Sequence, residues 1–249
     1  MRRIIISTLL LIYLSTAAHA QPKALPAVLQ ETIAYYASLS SYADTGTVTQ
    51  EGSGMIDTAR FVTYFRRPTR DLYFDYQPLT LSYAKLKITS DLSANRTVAW
   101  MEKGNLQLFD FKLKLLTNAG ATNQTGALQG ATYNTHGTSI LIPSLLYSQS
   151  RLPSSILQLE EVTTTAMENI DGCRCHKLAG TAAAYYPSGR RTSVRSVTVW
   201  IDADTKLVRR VFEDVPGEKE SVSRTTIKFD PRANPPIDDA KFRFTPPAK

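Results

Sequence analysis

The sharpest chemical cluster in the chain is Cys173-Arg174-Cys175-His176. Two thiolates and an imidazole suit a soft metal such as zinc or copper(I). The spacing is one residue short of the Cys-x-x-Cys-His that attaches haem. On an extended strand alternate side chains point to opposite faces, so His176 would oppose both cysteines. That geometry disfavours a shared site, and no metal is expected. Cys173 and Cys175 would lie on one face about 6.5 Å apart along the strand, so a bridge between them would be strained. Three states stay open for the pair: a local disulfide, free strand thiols, or intermolecular contacts.

The remaining reactive residues form no catalytic pattern. Past the first twenty residues only His136 and His176 could serve a nucleophilic triad, and no Gly-x-Ser-x-Gly elbow accompanies them. Gly52-Ser53-Gly54 reads as a turn. No phosphate-binding glycine loop occurs. Asp202 and Asp204 share a side of a turn and could hold a cation, but aspartates in turns usually bond their own backbone. Glu160, Glu161 and Glu168 show no catalytic spacing. Asn95-Arg96-Thr97 and Asn123-Gln124-Thr125 match glycosylation triplets, which arise often by chance. No enzymatic activity and no cofactor are expected.

The elements around these residues are mainly strands. Val197, Val199 and Ile201 alternate with Thr198 and Trp200, Asp202–Thr205 punctuates, and Leu207–Glu213 returns: a hairpin. Thr225, Ile227 and Phe229 make a strand with one dry face, stopped by Asp230-Pro231. Phe61, Thr63 and Phe65 share a face, and Leu72, Phe74 and Tyr76 mirror them after Arg67-Pro68-Thr69. Pro78 is expected to end that second strand. Glu51–Asp57 reads as a turn, and Ser82–Phe111 supplies three more strands, one carrying Trp100. Ile156–Met167 and Cys173–Ala184 form a pair about Asp171-Gly172, a hairpin signal, and Pro187-Ser188-Gly189 turns the chain again. Leu25–Leu39 carries an apolar stripe at helical spacing. The Gly-, Asn- and Thr-rich stretch 117–137 and the apolar Ile140–Tyr147 after it read together, over 117–150, as a mobile loop with one or two short helices capping an edge of the sheet. Phe242 and Phe244 predict a C-terminus tied down by burial.

These counts give nine to eleven short strands, one first helix and a central helical insert. The expected fold class is α+β: a strongly curved antiparallel sheet, an unclosed β-barrel, with helices over its concave face. Phe61, Phe65, Leu72, Phe74 and Trp100 lie on its faces. They either fill an ordinary core or line a hydrophobic cavity able to take acyl chains, since each buried methylene is worth about 0.8 kcal/mol.

The 249 residues carry a formal charge of +7. The basic residues are dispersed, which argues against nucleic-acid binding. Arg2 and Arg3 precede the apolar run Ile4–Leu14, and Ala18-His19-Ala20 is a small-x-small cleavage site. This predicts a signal peptide over 1–20, cleaved after Ala20, and a single mature domain over 21–249. The run is shorter than the roughly 20 residues a membrane span needs. No other stretch qualifies, so no transmembrane segment is expected in the mature chain.

Several short motifs carry a family resemblance. They are Ser41-Tyr42-Ala43-Asp44-Thr45-Gly46, Phe61-Val62-Thr63-Tyr64-Phe65-Arg66-Arg67-Pro68, and Asp171-Gly172 before Cys175-His176-Lys177-Leu178. Trp200-Ile201-Asp202, Leu207-Val208-Arg209-Arg210, Thr225–Asp230 and Phe242-Arg243-Phe244-Thr245-Pro246-Pro247 continue them. Together the chain resembles the Lol-type lipoprotein-carrier superfamily, and within it an uncharacterised periplasmic branch. The resemblance implies a half-barrel with helices over its open side and a cavity for lipid or lipoprotein acyl chains. The expectation is a periplasmic binder or carrier of lipid or an acylated lipoprotein. The alternative is a structural or regulatory domain that binds an envelope protein and has a filled core.

Overall fold

The computed structural model describes residues 26–83, 85–102, 104–118, 141–146, 159–185, 191–215 and 223–247. Thirteen strands form one antiparallel sheet. They are β1 (Ser41–Gly52), β2 (Met55–Arg66), β3 (Asp71–Tyr83), β4 (Ile88–Asp91), β5 (Thr97–Glu102), β6 (Asn105–Asp110), β7 (Leu115–Asn118), β8 (Leu159–Ile170), β9 (Cys173–Tyr185), β10 (Arg191–Asp202), β11 (Val208–Val215), β12 (Ser223–Phe229) and β13 (Arg232–Ala233). The order across the sheet is β7-β6-β5-β3-β2-β1-β12-β11-β10-β9-β8; β4 also pairs with β3, and β13 with β1. Helices α1 (Ala27–Ser38) and α2 (Leu141–Leu146) lie on one face.

Most neighbours in the sheet are neighbours in sequence, as hairpins require. β5 skips β4 to pair with β3, and the widest jumps are central: β1, the first strand, pairs with β12 and β13, near the end. That seam joins a first half, β1–β7, to a second half, β8–β12. Gln50 Nε2 donates across it to Ser223 Oγ at 3.0 Å.

The alternation read from the sequence sets the faces. Phe65 pairs with Leu72, Thr63 with Phe74 and Phe61 with Tyr76, so these side chains share the helix-side face. Val197, Val199, Ile201, Val211 and Ile227 continue that face across the second half and join one buried cluster. The far face carries two smaller clusters. Val98, Trp100 and Phe109 pack with Phe244, and Ile170, Cys175 and Trp200 pack with Phe212.

Several expectations change. The sheet is open, with β7 and β8 as its edges, as an unclosed barrel requires, but it is not strongly curled. Both faces bear apolar clusters, so burial does not depend on wrapping one face inwards. Pro78 does not end its strand, because β3 runs on to Tyr83. The register shifts at this point, with Ala59 opposite Pro78 and Thr58 opposite Thr80; a bulge accommodates a residue that has no N–H to give the ladder. The turn expected over Glu51–Asp57 shrinks to Ser53-Gly54, both at positive φ. Short strands β4, β7 and β13 raise the count among the described residues to thirteen. Of the loop expected over 117–150, only the end of β7 and helix α2 fall among the described residues; the turn at 187–189 lies outside them.

The C-terminal tail is tied down as expected. Asn234 Oδ1 accepts from Ser40 N at 2.8 Å and Ser40 Oγ at 2.9 Å. Phe242 sits under the Arg66 guanidinium, 4.8 Å from ring centre, and Phe244 meets Trp100 at 4.9 Å between centroids.

Candidate functional site

The site lies where the two helices meet the sheet. Pro26 starts α1, where its missing N–H costs nothing. Leu29, Thr32 and Tyr36 form its buried stripe, and Leu39 follows it inward. In α2, Ile142, Leu145 and Leu146 repeat the spacing of one helical face. Both helices share a single cluster with the sheet, reaching from Leu106 of β6 to Leu159 of β8.

Four of the five candidate cavity residues come together in that cluster. Phe65 and Leu72 are 0 % exposed, Phe74 1 % and Phe61 2 %. The Phe61 ring stands 5.5 Å from Phe229 and 6.4 Å from Phe74. It lies over Gly46, where a Cβ would come within 2.1 Å of its tip and 2.5 Å of the Lys228 carbonyl oxygen. Glycine is required there by close approach. Trp100 is separate: Phe74 pairs with Ala99, so Ala99 faces the helices and Trp100 the far side, against Phe109 and Phe244.

One cation holds both helices. Arg67 directly follows β2, beside a cis Arg67–Pro68 bond. Its guanidinium donates to Leu39 O at 2.9 Å, to Tyr36 O at 3.3 Å, and to Leu146 O. These carbonyls lie at the C-terminal ends of α1 and α2, where unpaired C=O groups gather negative charge. The same guanidinium lies 4.9 Å over the Phe65 ring. The sequence offered only a weak signal for this role, an arginine between an aromatic strand and a proline.

A buried polar group sits beneath α1. The Tyr42 hydroxyl donates to Asp44 Oδ2 at 2.7 Å, and the Tyr36 hydroxyl accepts from Val208 N at 3.1 Å. The Tyr36 and Tyr42 rings are 5.6 Å apart. Asp44 is 1 % exposed, and burial pushes its carboxyl from 3.8 up to about 7 against the pull of the Tyr42 hydroxyl. Thr63, its cross-strand partner, lies beside it, yet neither Asp44 Oδ1 nor Thr63 Oγ1 reaches hydrogen-bond geometry. Burial likewise drives both tyrosines well above the usual phenol range. Asp44 shares a strand parity with Tyr42 and Val48, which is the sequence signal that it points inward.

The cysteines belong to the far face. Both are free thiols, and Cys175 packs with Ile170 and Trp200. His176 pairs with Ile201 on the helix side, opposite the cysteines, as strand parity predicts. Burial pushes the Cys175 thiol up to about 11, so it is a poor thiolate source. No group of three or more His, Cys, Asp or Glu side chains with metal-binding geometry occurs among the described residues. Asp202 bonds its own turn: Oδ1 accepts from Asp204 N and Thr205 N, both at 3.0 Å. Glu168 takes the Trp200 indole N–H at 2.8 Å and the Lys177 ammonium at 2.6 Å. The lysine hydrogen bond, then the indole, holds its carboxyl below the usual range. Between the two far-face clusters runs a groove of about 890 Å³, its lining including Thr47, Arg60, Gln77, Asp171 and Lys228. Its walls are mixed: Phe61, Val62, Ile170 and Phe229 line it beside the charged Asp75, Arg96 and Arg209.

No family model matches the sequence, and no curated protein matches it. Solved structures do. The lipoprotein LppX of Mycobacterium tuberculosis aligns over 86 % of this chain and 99 % of its own, with 14 % identity and a TM-score of 0.45. A putative outer membrane lipoprotein-sorting protein domain from Vibrio parahaemolyticus aligns over 86 % and 94 %, with 9 % identity and a TM-score of 0.35. MucB, in the MucA/MucB complex of Pseudomonas aeruginosa, aligns over 88 % of this chain but 62 % of its own, with 14 % identity and a TM-score of 0.42. These values describe a similar course of the chain and carry no functional inference.

Proposed function

We propose that the protein is an exported, periplasmic, non-enzymatic binder or carrier of an apolar ligand, a lipid or the acyl chains of a lipoprotein. The ligand lies between the helix-side face of the sheet and helices α1 and α2, against Phe61, Phe65, Leu72 and Phe74. The observation that carries this reading is the nature of the cover. An apolar face running from β6 to β8 is closed by helices of 12 and six residues, both pinned at their C-termini by Arg67. Such a cover can lift without breaking a strand ladder. A chain of some 14 methylenes offers roughly 10 kcal/mol of gross burial, enough to replace the contacts the helices give up. The basic start, apolar run and Ala18-His19-Ala20 site support export.

The test is native mass spectrometry with lipid extraction on protein purified without detergent. The expected result is a stoichiometric phospholipid or acylated passenger, retained less by a folded Phe61→Asp variant than by the wild type. A clean unliganded mass, with no uptake of added fatty acid or lipopeptide, overturns the reading. One observation favours the second reading, an interaction domain with a filled core: the candidate lining residues are sealed from solvent by their own neighbours. Capture of a defined envelope protein under lipid-free conditions is its positive test.

A further inference from the structure

Seven of the eight exposed large apolar residues described lie at one corner of the sheet. They are Met55, Ile56, Leu86, Ile88, Leu113, Leu115 and Leu116; the eighth, Met167, is on the opposite edge strand. The topology explains the grouping. Strands β3 and β6 are each antiparallel to β5 and so run the same way. The turn after β3 and the turn after β6 therefore point the same way, the first set further out, because Asp110 is level with Tyr76 and β3 runs on to Tyr83. Met55 pairs with Tyr83, and Tyr83 with Ile88, so the start of β2 and the whole of β4 join them.

The two turns are built alike. Lys85-Leu86-Lys87 and Lys112-Leu113-Lys114 each set a leucine between two lysines. Leu86 is 65 % exposed and Leu113 67 %. Lys87 and Lys114 take positive φ, 52° and 50°, a conformation in which glycine or asparagine is less strained. Five other non-glycine residues, Ser53, Arg70, Asp171, Lys206 and Asn234, share this conformation, so it is the common turn geometry of the described residues. All four lysines are exposed, and none forms an ion pair among the described residues. Of the nearby carboxylates, Asp91 and Asp110 are turned onto backbone amides, those of Ser93 and Leu113, and Asp57 lines one pocket with Asp110, Lys112 and Leu113.

Exposed apolar tips ringed by unpaired cations match one kind of surface, an acyl boundary beneath anionic headgroups. We propose that this corner docks the protein onto an anionic phospholipid bilayer, with Leu86 and Leu113 entering the acyl boundary and the four lysines meeting headgroup phosphates. This goes beyond the ligand reading and does not depend on it, because none of these residues lies in the helix-side core.

The experiment is flotation of the full chain with vesicles of phosphatidylcholine alone or with phosphatidylglycerol added. Wild type is compared with Leu86→Asp/Leu113→Asp, with a variant carrying glutamine at all four lysines, and with Met167→Asp. All share one N-terminus, so only differences between them are read. The leucine variant should bind the anionic vesicles at least tenfold more weakly. The lysine variant should lose about fivefold for each charge removed, and added salt should abolish the difference between it and wild type. Met167→Asp should bind as wild type does. Equal binding by wild type and both corner variants overturns the proposal, as does an equal loss in Met167→Asp. A leucine variant that dissociates a dimer while still floating normally assigns the corner to a second copy instead. Circular dichroism confirms that each variant is folded, and lipid retention in the core is measured separately by mass spectrometry.

Discussion

Replacing Asp44 with asparagine should make the protein more stable at neutral and alkaline pH. The carboxyl is buried between β2 and α1, with Tyr42 donating to one oxygen and no ion pair to it among the described residues. Its folded value of about 7 lies above the 3.8 of the free group. The folded state therefore holds the proton more tightly than the unfolded state does. The stability contributed by this group is fully present below about pH 4 and is lost as pH rises through 7. At about 1.4 kcal/mol per pH unit, the gap amounts to a ceiling of about 4 kcal/mol. Asparagine copies the neutral acid: its carbonyl keeps the Tyr42 hydrogen bond, and its amide can reach toward Thr63. The nearby Asp230 charge, which pushes Asp44 up, would no longer act on an ionisable group. The assay is urea unfolding of wild type and Asp44→Asn at intervals between pH 4.5 and 8.5. Subtracting one from the other removes the carboxylates common to both. The expected difference is small at pH 4.5 and rises to about 2–4 kcal/mol in favour of asparagine at pH 8.5. A difference that does not change with pH, or an asparagine variant less stable at pH 8.5, refutes the reasoning.

Two further predictions concern the cover and the floor beneath it. Arg67→Met removes a charge-assisted donor from three helix-end carbonyls and should cost about 2–4 kcal/mol; amide exchange should quicken in Leu29–Leu39 more than in β2 and β3, and an even loss of protection across the sheet would count against a clamp. Gly46→Ala places a methyl against the Phe61 ring and the Lys228 carbonyl oxygen, for a loss of about 2–4 kcal/mol by urea unfolding. A second change, Phe61→Leu, should recover part of that loss, and no recovery would mean the backbone contact dominates.

The strands of the site were legible because their parity was clean. Phe61, Thr63 and Phe65 against Leu72, Phe74 and Tyr76 allow one face assignment, and the structure has it. Asp171-Gly172 and Asp202–Thr205 were legible as turns for the same local reason. Trp100 was not assignable. Val98, Ala99, Trp100 and Met101 are apolar at every position, so a period of two has nothing to contrast, and only the β3–β5 register decides which face the indole takes. Arg67 was hidden for another reason. Its partners are main-chain carbonyls on segments 28 and 79 residues away, and carbonyls leave no mark in a sequence. Asp44 was quoted for its motif, but its burial depends on α1 lying above it. Pro78 misled because a bulge, a tertiary adjustment, absorbed a locally valid stop signal.

The β1–β12 seam has a consequence for how the chain reaches this structure. The first strand made waits at the centre of the sheet for nearly the last; Gln50 and Ser223 are 173 residues apart. Each half can form its hairpins early from local contacts, but their union requires closing almost the whole chain into a loop. Such non-local pairing is slow to form. Until it forms, β1 presents an unpaired edge on one half and β12 an unpaired edge on the other, and each is the other's natural template. Two molecules caught at that stage can pair β1 of one with β12 of the other. The route to the native sheet is thus also the route to a domain-swapped dimer, and protein concentration during refolding selects between them.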